Sequence, residues 1–291
     1  MPVDISDEGA VRIITLNRPA KLNALTLAMA TDICNAVEAA AADPSVRCLL
    51  LTGAGRAFSS GGDVNEMGEH LPRAGDLFYQ LTDQLHDTVS AMLTMRKPVV
   101  TAINGIVAGG AIGMALAGDV RIAAESAQLL SAHFKRGFVP AGGATYLLPR
   151  LIGLSRTQAL FFGERTLTGA EMHEWGLVHH LVPDGELAEF AMTEAQRLAA
   201  GPTQVMGETK RLLAAADNLT AEEQLQLESE RNRDSGNTGI GLVWSRQWHP
   251  RVQSNVSLGY SRFTDIRDRR TQVGANGNPS AEENHAEDLT F

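Results

Sequence analysis

Pro98-Val99-Val100-Thr101-Ala102-Ile103-Asn104-Gly105-Ile106-Val107-Ala108-Gly109-Gly110-Ala111-Ile112-Gly113-Met114-Ala115-Leu116-Ala117-Gly118 is the stretch on which the fold turns. It carries no charge, and its two small-xxx-small spacings, Gly105/Gly109 and Gly109/Gly113, imitate the packing face of a membrane helix. Pro98 and the Asn104-Gly105 pair nevertheless divide it into a β-branched run (Val99, Val100, Thr101, Ile103) and a Gly/Ala/Met run. That division predicts a strand, a turn and a buried helix, and no membrane association.

Working outward, the same alternation recurs. Val11–Leu16 (VRIITL) and Val46–Thr52 (VRCLLLT) are short β-rich runs, and between them Leu27, Ala30, Ile33, Cys34 and Val37 fall at helical spacing. An amphipathic helix is expected within about Gly75 to Met95, a helix from about Gly109, and a strand over Asp119–Ala123. From Ser155 onward the pattern is helical, with capping boxes at Thr168/Glu171 and Thr220/Glu223 and a helix over Glu186–Ala199. After about Gly236 the character changes. Ile240–Thr264 alternates as strands do, with Val252, Val256, Leu258 and Tyr260 on one parity, and Arg267–Phe291 is polar enough to be disordered. The expected division is an α/β core over 1–200, a helical region over 201–237 and an atypical extension over 238–291.

The 291 residues are 44% apolar and 20% charged with a net charge of -9, which is the make-up of a globular chain and excludes nucleic acid as a partner. A polyanionic ligand would need a local site rich in amides or cations. Cys34 and Cys48 lie apart in apolar runs and read as buried thiols, and His173, His179 and His180 have no metal-ligand spacing, so no metal is expected. The acidic start, Met1 to Glu8, has no basic-then-apolar pattern of a secretory signal, which makes the cytoplasm the expected compartment.

Two glycine-rich turns follow apolar strands: Phe58-Ser59-Ser60-Gly61-Gly62-Asp63 and Asn104-Gly105 through Gly109-Gly110-Ala111. Glycine lets a ligand approach the backbone and leaves N–H groups free. Two such amides can converge on a single oxygen and stabilise an oxyanion, at roughly a hundred- to thousand-fold in rate per donor. Taken singly, each is equally a structural tight turn.

Together with Asn17-Arg18-Pro19, Asn23-Ala24-Leu25, Asp119-Val120-Arg121-Ile122-Ala123, Gly142-Gly143-Ala144-Thr145 and Leu148-Pro149-Arg150-Leu151-Ile152-Gly153, these turns resemble, in order and spacing over about Val3 to Asn237, the crotonase superfamily of enoyl-CoA hydratases and isomerases. The resemblance implies an α/β fold with a ββα spiral core, assembly as a homotrimer or a dimer of trimers, and an acyl-CoA thioester as substrate. Coenzyme A would enter as part of that substrate, with no permanently bound cofactor. It also puts the oxyanion-hole amides on Ser60 and Gly110, and contacts to the CoA adenine and pantetheine, largely through backbone, at Lys21, Leu22, Ala57, Ser59, Asp63 and Val64. Lys21 or Arg18 would meet a CoA phosphate; the alternative is that both are solvated surface charges.

The departures from that pattern bear on the chemistry. Where hydratases of the family carry two glutamates, this chain has Gly113 and His133, and where another branch carries an aspartate in a Pro-Asp-Gly-Gly turn it has Pro140-Ala141-Gly142-Gly143. Two-carboxylate hydration therefore lacks its groups. His133 is the remaining candidate for proton transfer, against the alternative of a buried histidine satisfied by a backbone carbonyl. Glu66, Glu69 and His70 are weaker candidates on the segment after the first glycine turn, where charges at helical spacing commonly form a solvated face. The tail shows no sign of the family's closing helix and reads as an added hairpin or a fused segment. Three functions stay open on these residues: an enoyl-CoA isomerase or hydratase, a decarboxylase or C–C hydrolase, and a catalytically silent acyl-CoA-binding protein.

Overall fold

The computed structural model describes residues 1–69, 73–234, 238–246 and 254–262. In chain order its elements begin with β1 (Val3–Glu8), β2 (Val11–Leu16), α1 (Leu27–Ala42), β3 (Cys48–Gly53), β4 (Ala57–Ser59), α2 (Val64–Glu69) and α3 (Ala74–Thr94). They continue through β5 (Val99–Ile103), β6 (Ile106–Ala108), α4 (Ala111–Leu116), β7 (Val120–Ala124), β8 (Gln128–Leu130), α5 (Ala144–Phe162), β9 (Thr166–Thr168), α6 (Gly169–Glu174), β10 (His180–Val182) and α7 (Leu187–Ala200). Then come α8 (Thr203–Ala215), α9 (Ala221–Asp234), β11 (Thr238–Arg246) and β12 (Ser254–Arg262). The chain divides into two compact units, Met1–Arg211 and the residues from Leu212 onward.

In the first unit, a six-stranded sheet runs β1-β2-β3-β5-β7-β10 and a four-stranded sheet runs β4-β6-β8-β9. β3, β5 and β7 of the large sheet are each followed by a strand of the small one, β4, β6 and β8. A helix comes next each time, so the ββα unit repeats as a spiral. β2, β3, β5, β7 and β10 pair in parallel, and β1 closes one edge antiparallel, Val3 opposite Leu16. Both faces of the large sheet are covered, which is why its strands read as unbroken apolar runs. Along β3, Leu49 and Leu51 point into the core shared with α1 and α3, while Cys48 and Leu50 point at α7 and its Leu187, Ala191, Ala195 and Leu198. The Cys48 thiol is pushed up to about 12 by that burial and is chemically inert.

The Pro98–Gly118 stretch is β5, a turn, β6 and the fully buried α4. Among the described residues no helix is long and apolar enough to cross a membrane. Both capping boxes form, the one at Thr168 with Glu171 opening α6 and the one at Thr220 with Glu223 opening α9. Three features depart from the sequence expectations. The acidic start is the edge strand β1, whose mostly exposed, charged face protects an open sheet edge. Helix begins at Ala144, well before Ser155, with a break at Gly153 (φ 77°). The strands β4, β6, β8, β9 and β10 are each three residues long, too short to show an alternation. In the second unit β11 and β12 pair antiparallel, from Thr238 opposite Arg262 to Arg246 opposite Ser254, so strand pairing begins two residues before the alternating Ile240–Thr264 region. The disorder expected over Arg267–Phe291 lies outside the described residues.

At the end of the large sheet, Arg121 is 8% exposed. Its guanidinium donates to the carbonyls of Leu177 (2.6 Å) and Gly118 (2.9 Å) and stands 3.3 Å from His179 Nε2, while the Arg121 backbone N–H donates to His179 Nδ1. Burial, then Arg121 itself, pushes His179 down to about 4, whereas the unfolded imidazole protonates near 6.5. The stabilisation is thus fully present above about pH 6.5 and is lost as pH falls through 4. Solvent at the half-exposed ring screens part of the repulsion. We expect the melting temperature to drop by about 2–4 °C more in wild type than in His179→Gln between pH 7 and 4.5; parallel pH profiles would remove His179 as the cause.

Candidate active site

A cavity of about 280 Å³ opens between the two glycine turns, α3 and the segment following β8. Its walls are mainly apolar: Leu22, Val64, Met67, Phe78, Leu81, Leu85, Ile106, Leu130, Phe138 and Val139. Phe78 and Phe138 stack with ring centroids 5.0 Å apart. α3 contributes because Leu77, Leu81, Leu85, Val89 and Met92 recur every three or four residues and bury one stripe.

Backbone around the first glycine turn is held by side chains buried beneath it. Asn23, fully buried and left-handed (φ 51°), donates from Nδ2 to the carbonyls of Ala54 (3.0 Å) and Ala57 (2.7 Å), and its Oδ1 accepts from Arg18 N–H at 2.7 Å. Ser59 Oγ donates to the Asn23 carbonyl and accepts from Gly61 N–H. Asp63 pairs with Arg18 (3.0 Å) and accepts from Asn65 N–H, and the Arg18 guanidinium and these N–H groups hold its carboxyl below the usual range against the opposing effect of burial. Ala57, Ser59 and Asp63 are therefore the buried support of the turn. Leu22 and Val64 reach the cavity wall, and Lys21 stands exposed. One guanidinium nitrogen of Arg18 is committed to Asp63 and the Ala24 carbonyl, which anchors the side chain beneath the turn.

One expected amide is corrected. Ser60 N–H donates to the Leu22 carbonyl at 2.9 Å, so it cannot also receive an oxyanion. Leu25 continues the same pairing, donating to the Gly61 carbonyl and accepting from Asp63 N–H. The N–H that escapes this ladder is that of Gly62. Gly62 and Gly110 both line the cavity, and among the described residues neither N–H meets an acceptor.

His133 lines the same cavity at 6% exposure, edge-on to Phe161 with centroids 5.9 Å apart. Neither ring nitrogen meets a hydrogen-bond partner among the described residues, so the alternative of a histidine satisfied by a carbonyl does not hold. Burial lowers its pKa, leaving the ring neutral and able to accept a proton. The preceding Ala132 is left-handed (φ 46°), a strained conformation for alanine that turns the chain as it enters His133.

The positions of the absent acids are closed differently. A Cβ on Gly113 would stand 1.4 Å from the Gly142 carbonyl oxygen, and one on Gly142 (φ 67°) would stand 2.2 Å from the Gly110 carbonyl oxygen. Backbone fills the space a glutamate would need. Ala141 lines the cavity as a methyl group, and Gly142 N–H is held by His86 Nε2 at 3.2 Å, a contact between residues 56 apart that sequence inspection does not show. Glu66 accepts from Leu27 N–H at the start of α1 and so supports that helix. His70 lies outside the described residues. No group of three or more His, Cys, Asp or Glu side chains converges as a metal site among the described residues.

The close approach at Gly113 makes a direct prediction. Gly113→Glu should lower stability by about 1–3 kcal/mol or more through overpacking, read by thermal unfolding, and should add no water to an enoyl thioester. A stable variant that gained hydration would overturn this account of the loop.

A family model described as enoyl-CoA hydratase/isomerase matches residues 6–238. The 1,2-epoxyphenylacetyl-CoA isomerase of Escherichia coli (strain K12) is 36% identical over 230 residues, covering 79% of this chain and 88% of that protein. A probable mitochondrial enoyl-CoA hydratase of Dictyostelium discoideum is 34% identical over 222 residues, 76% and 78% of the two chains. The solved structure of an enoyl-CoA hydratase from Bacillus anthracis superposes with a TM-score of 0.75 at 30% identity, over 80% of this chain and 90% of that one. The ββα spiral and its glycine turns lie inside residues 6–238, and the chain belongs to the enoyl-CoA hydratase/isomerase family of the crotonase superfamily.

Proposed function

We propose that this protein is an acyl-CoA enzyme that shifts a double bond through a thioester enolate, with the Gly62 and Gly110 amides receiving the oxyanion and His133 carrying the proton. The observation that carries this reading is a neutral, buried imidazole with both nitrogens unpaired, in the same apolar cavity as two unpaired amides. A thioester carbonyl oxygen set between the amides would gain two hydrogen bonds that strengthen as negative charge develops. The α or γ carbon of the acyl chain would then give up a proton that the imidazole can hold and return.

Isomerisation is favoured over hydration by the count of groups. Hydration needs one group to activate water and another to protonate carbon. His133 is the one ionisable side chain with a near-neutral ordinary pKa on the described cavity wall, and the walls about it are apolar. A single base that removes and returns the same proton suffices for a double-bond shift. Family membership supports an acyl-CoA thioester as the substrate, with CoA arriving and leaving as part of it. Exposed Phe134 and Phe162, whose rings lie 5.6 Å apart, offer apolar surface for the homotrimer that the same reading implies.

The test is mass spectrometry of enoyl and saturated CoA thioesters incubated with the protein in heavy water. Deuterium at the α or γ carbon without addition of water is expected, falling about 100-fold or more in His133→Ala with thioester binding retained. Loss of carboxylate from a malonyl-type thioester would replace this reading with a decarboxylase. Tight binding with no exchange would replace it with a silent binding protein.

A further inference from the structure

Arg136 is the one charged residue among those described on the cavity wall. It closes a 3-10 turn, Phe134–Arg136, whose N-cap is His133 and whose C-cap is the left-handed Gly137 (φ 70°). The His133 carbonyl accepts from both Arg136 N–H and Phe138 N–H at 3.1 Å, so the turn is pinned at both ends. In 3-10 geometry side chains three residues apart eclipse. His133 and Arg136 accordingly leave the turn on the same side, roughly 6 Å apart along its axis at about 2.0 Å per residue, and both reach the cavity.

Among the described residues the guanidinium has no partner. Among the described residues no carboxylate pairs with it and no carbonyl accepts from it, although the chain as a whole carries a net charge of -9. Its neighbours in the sequence are committed elsewhere, Lys135 to Glu164 at 3.8 Å and Phe134 to Phe162. A five-donor fork left unpaired among the described residues, on a side chain that lines a mainly apolar cavity, suits a planar oxyanion. The phosphates of CoA are poor candidates. The pantetheine arm separates them from the thioester, and a cavity of about 280 Å³ cannot hold that arm folded on itself beside the acyl chain.

Resting on the thioester reading above, we propose that the site selects acyl-CoA substrates whose acyl chain ends in a second carboxylate, and that Arg136 is the residue that recognises it. With the thioester oxygen at Gly62 and Gly110 and the reacting carbon at His133, a terminal carboxylate some four to six carbons along would meet the guanidinium, given about 1.2 Å of reach per extended bond. Arg136 is more than a third exposed, so the carboxylate keeps part of its hydration and the selectivity is moderate.

The experiment is titration calorimetry of the whole protein with two saturated thioesters of equal length, adipoyl-CoA and hexanoyl-CoA, repeated on Arg136→Gln and Arg136→Lys. Wild type should bind adipoyl-CoA about 10- to 100-fold more tightly. Arg136→Gln should abolish that ratio, and Arg136→Lys should restore part of it. Because Arg136 is exposed, neither variant should unfold the protein, and coincident thermal melts check this. Hexanoyl-CoA binding without a preference for adipoyl-CoA would overturn the carboxylate receptor and leave the thioester reading standing. Equal weakening of both thioesters by Arg136→Gln would assign the arginine to CoA itself. Failure of both to bind wild type would remove the two readings together.

Discussion

The site depends on a contact made without side chains, the approach of α4 to the turn at Gly142. Atoms of Gly142 occupy the volume that a side chain on Gly113 would take, and the Gly110 carbonyl occupies the volume of one on Gly142. Glycine at these positions allows two stretches of backbone to touch, and that touch sets where Gly110 points its N–H and where Ala141 closes the wall. Substituting Gly113 is therefore a change in the placement of a loop more than a change of one functional group. The loop is further tied by His86, so its position is shared between α3 and α4.

The large elements were legible because each repeats a physical pattern over enough residues. β3 and β5 are apolar on both faces, since α7 covers one side and α1 with α3 the other, and their near-continuous apolar runs show it. α1 and α3 carry stripes of 3.6 periodicity, and Thr168 with Glu171 announces a helix start that forms as written. The small sheet was not legible. Its three-residue strands hold their place through backbone pairing between segments far apart in sequence, such as Ile106 with Gln128 and Ala57 with Ile106, and a strand of that length has no period to read.

In the site, the cavity was legible by its glycines while its donors were not. Gly110 lines the cavity with an N–H that meets no acceptor among the described residues. At the first turn the N–H left unclaimed among the described residues is that of Gly62 and not that of Ser60, because Leu22 and Leu25 pair with alternate backbone groups there. That choice is made by a non-local ladder, and the composition of Ser59-Ser60-Gly61-Gly62 contains no trace of it. The same holds for Asp63 and Arg18, two charges that sequence inspection takes for ligand contacts and that fold onto one another under the turn. His133 was legible as a residue but not in its state, since its unpaired nitrogens depend on which groups Phe161 and the cavity wall bring near.

These features constrain the chemistry jointly. A cavity with two free amides favours any transition state that places negative charge on a carbonyl oxygen, and this preference does not require the missing carboxylates. What they would have supplied is proton traffic with water. With Gly113 closed by backbone, Ala141 a methyl group and the remaining described wall mainly apolar apart from Arg136, proton traffic on the proposed reading falls to a single imidazole that burial keeps neutral. Such a group can take a proton from carbon and return it one or two atoms away, but it has no second partner to hold a water molecule in attack. On the proposed reading, the absence of these acids narrows the reaction toward rearrangement within the acyl chain. A reaction so confined would make recognition of the acyl chain, and of the terminal carboxylate proposed to meet Arg136, the main source of specificity left to the protein.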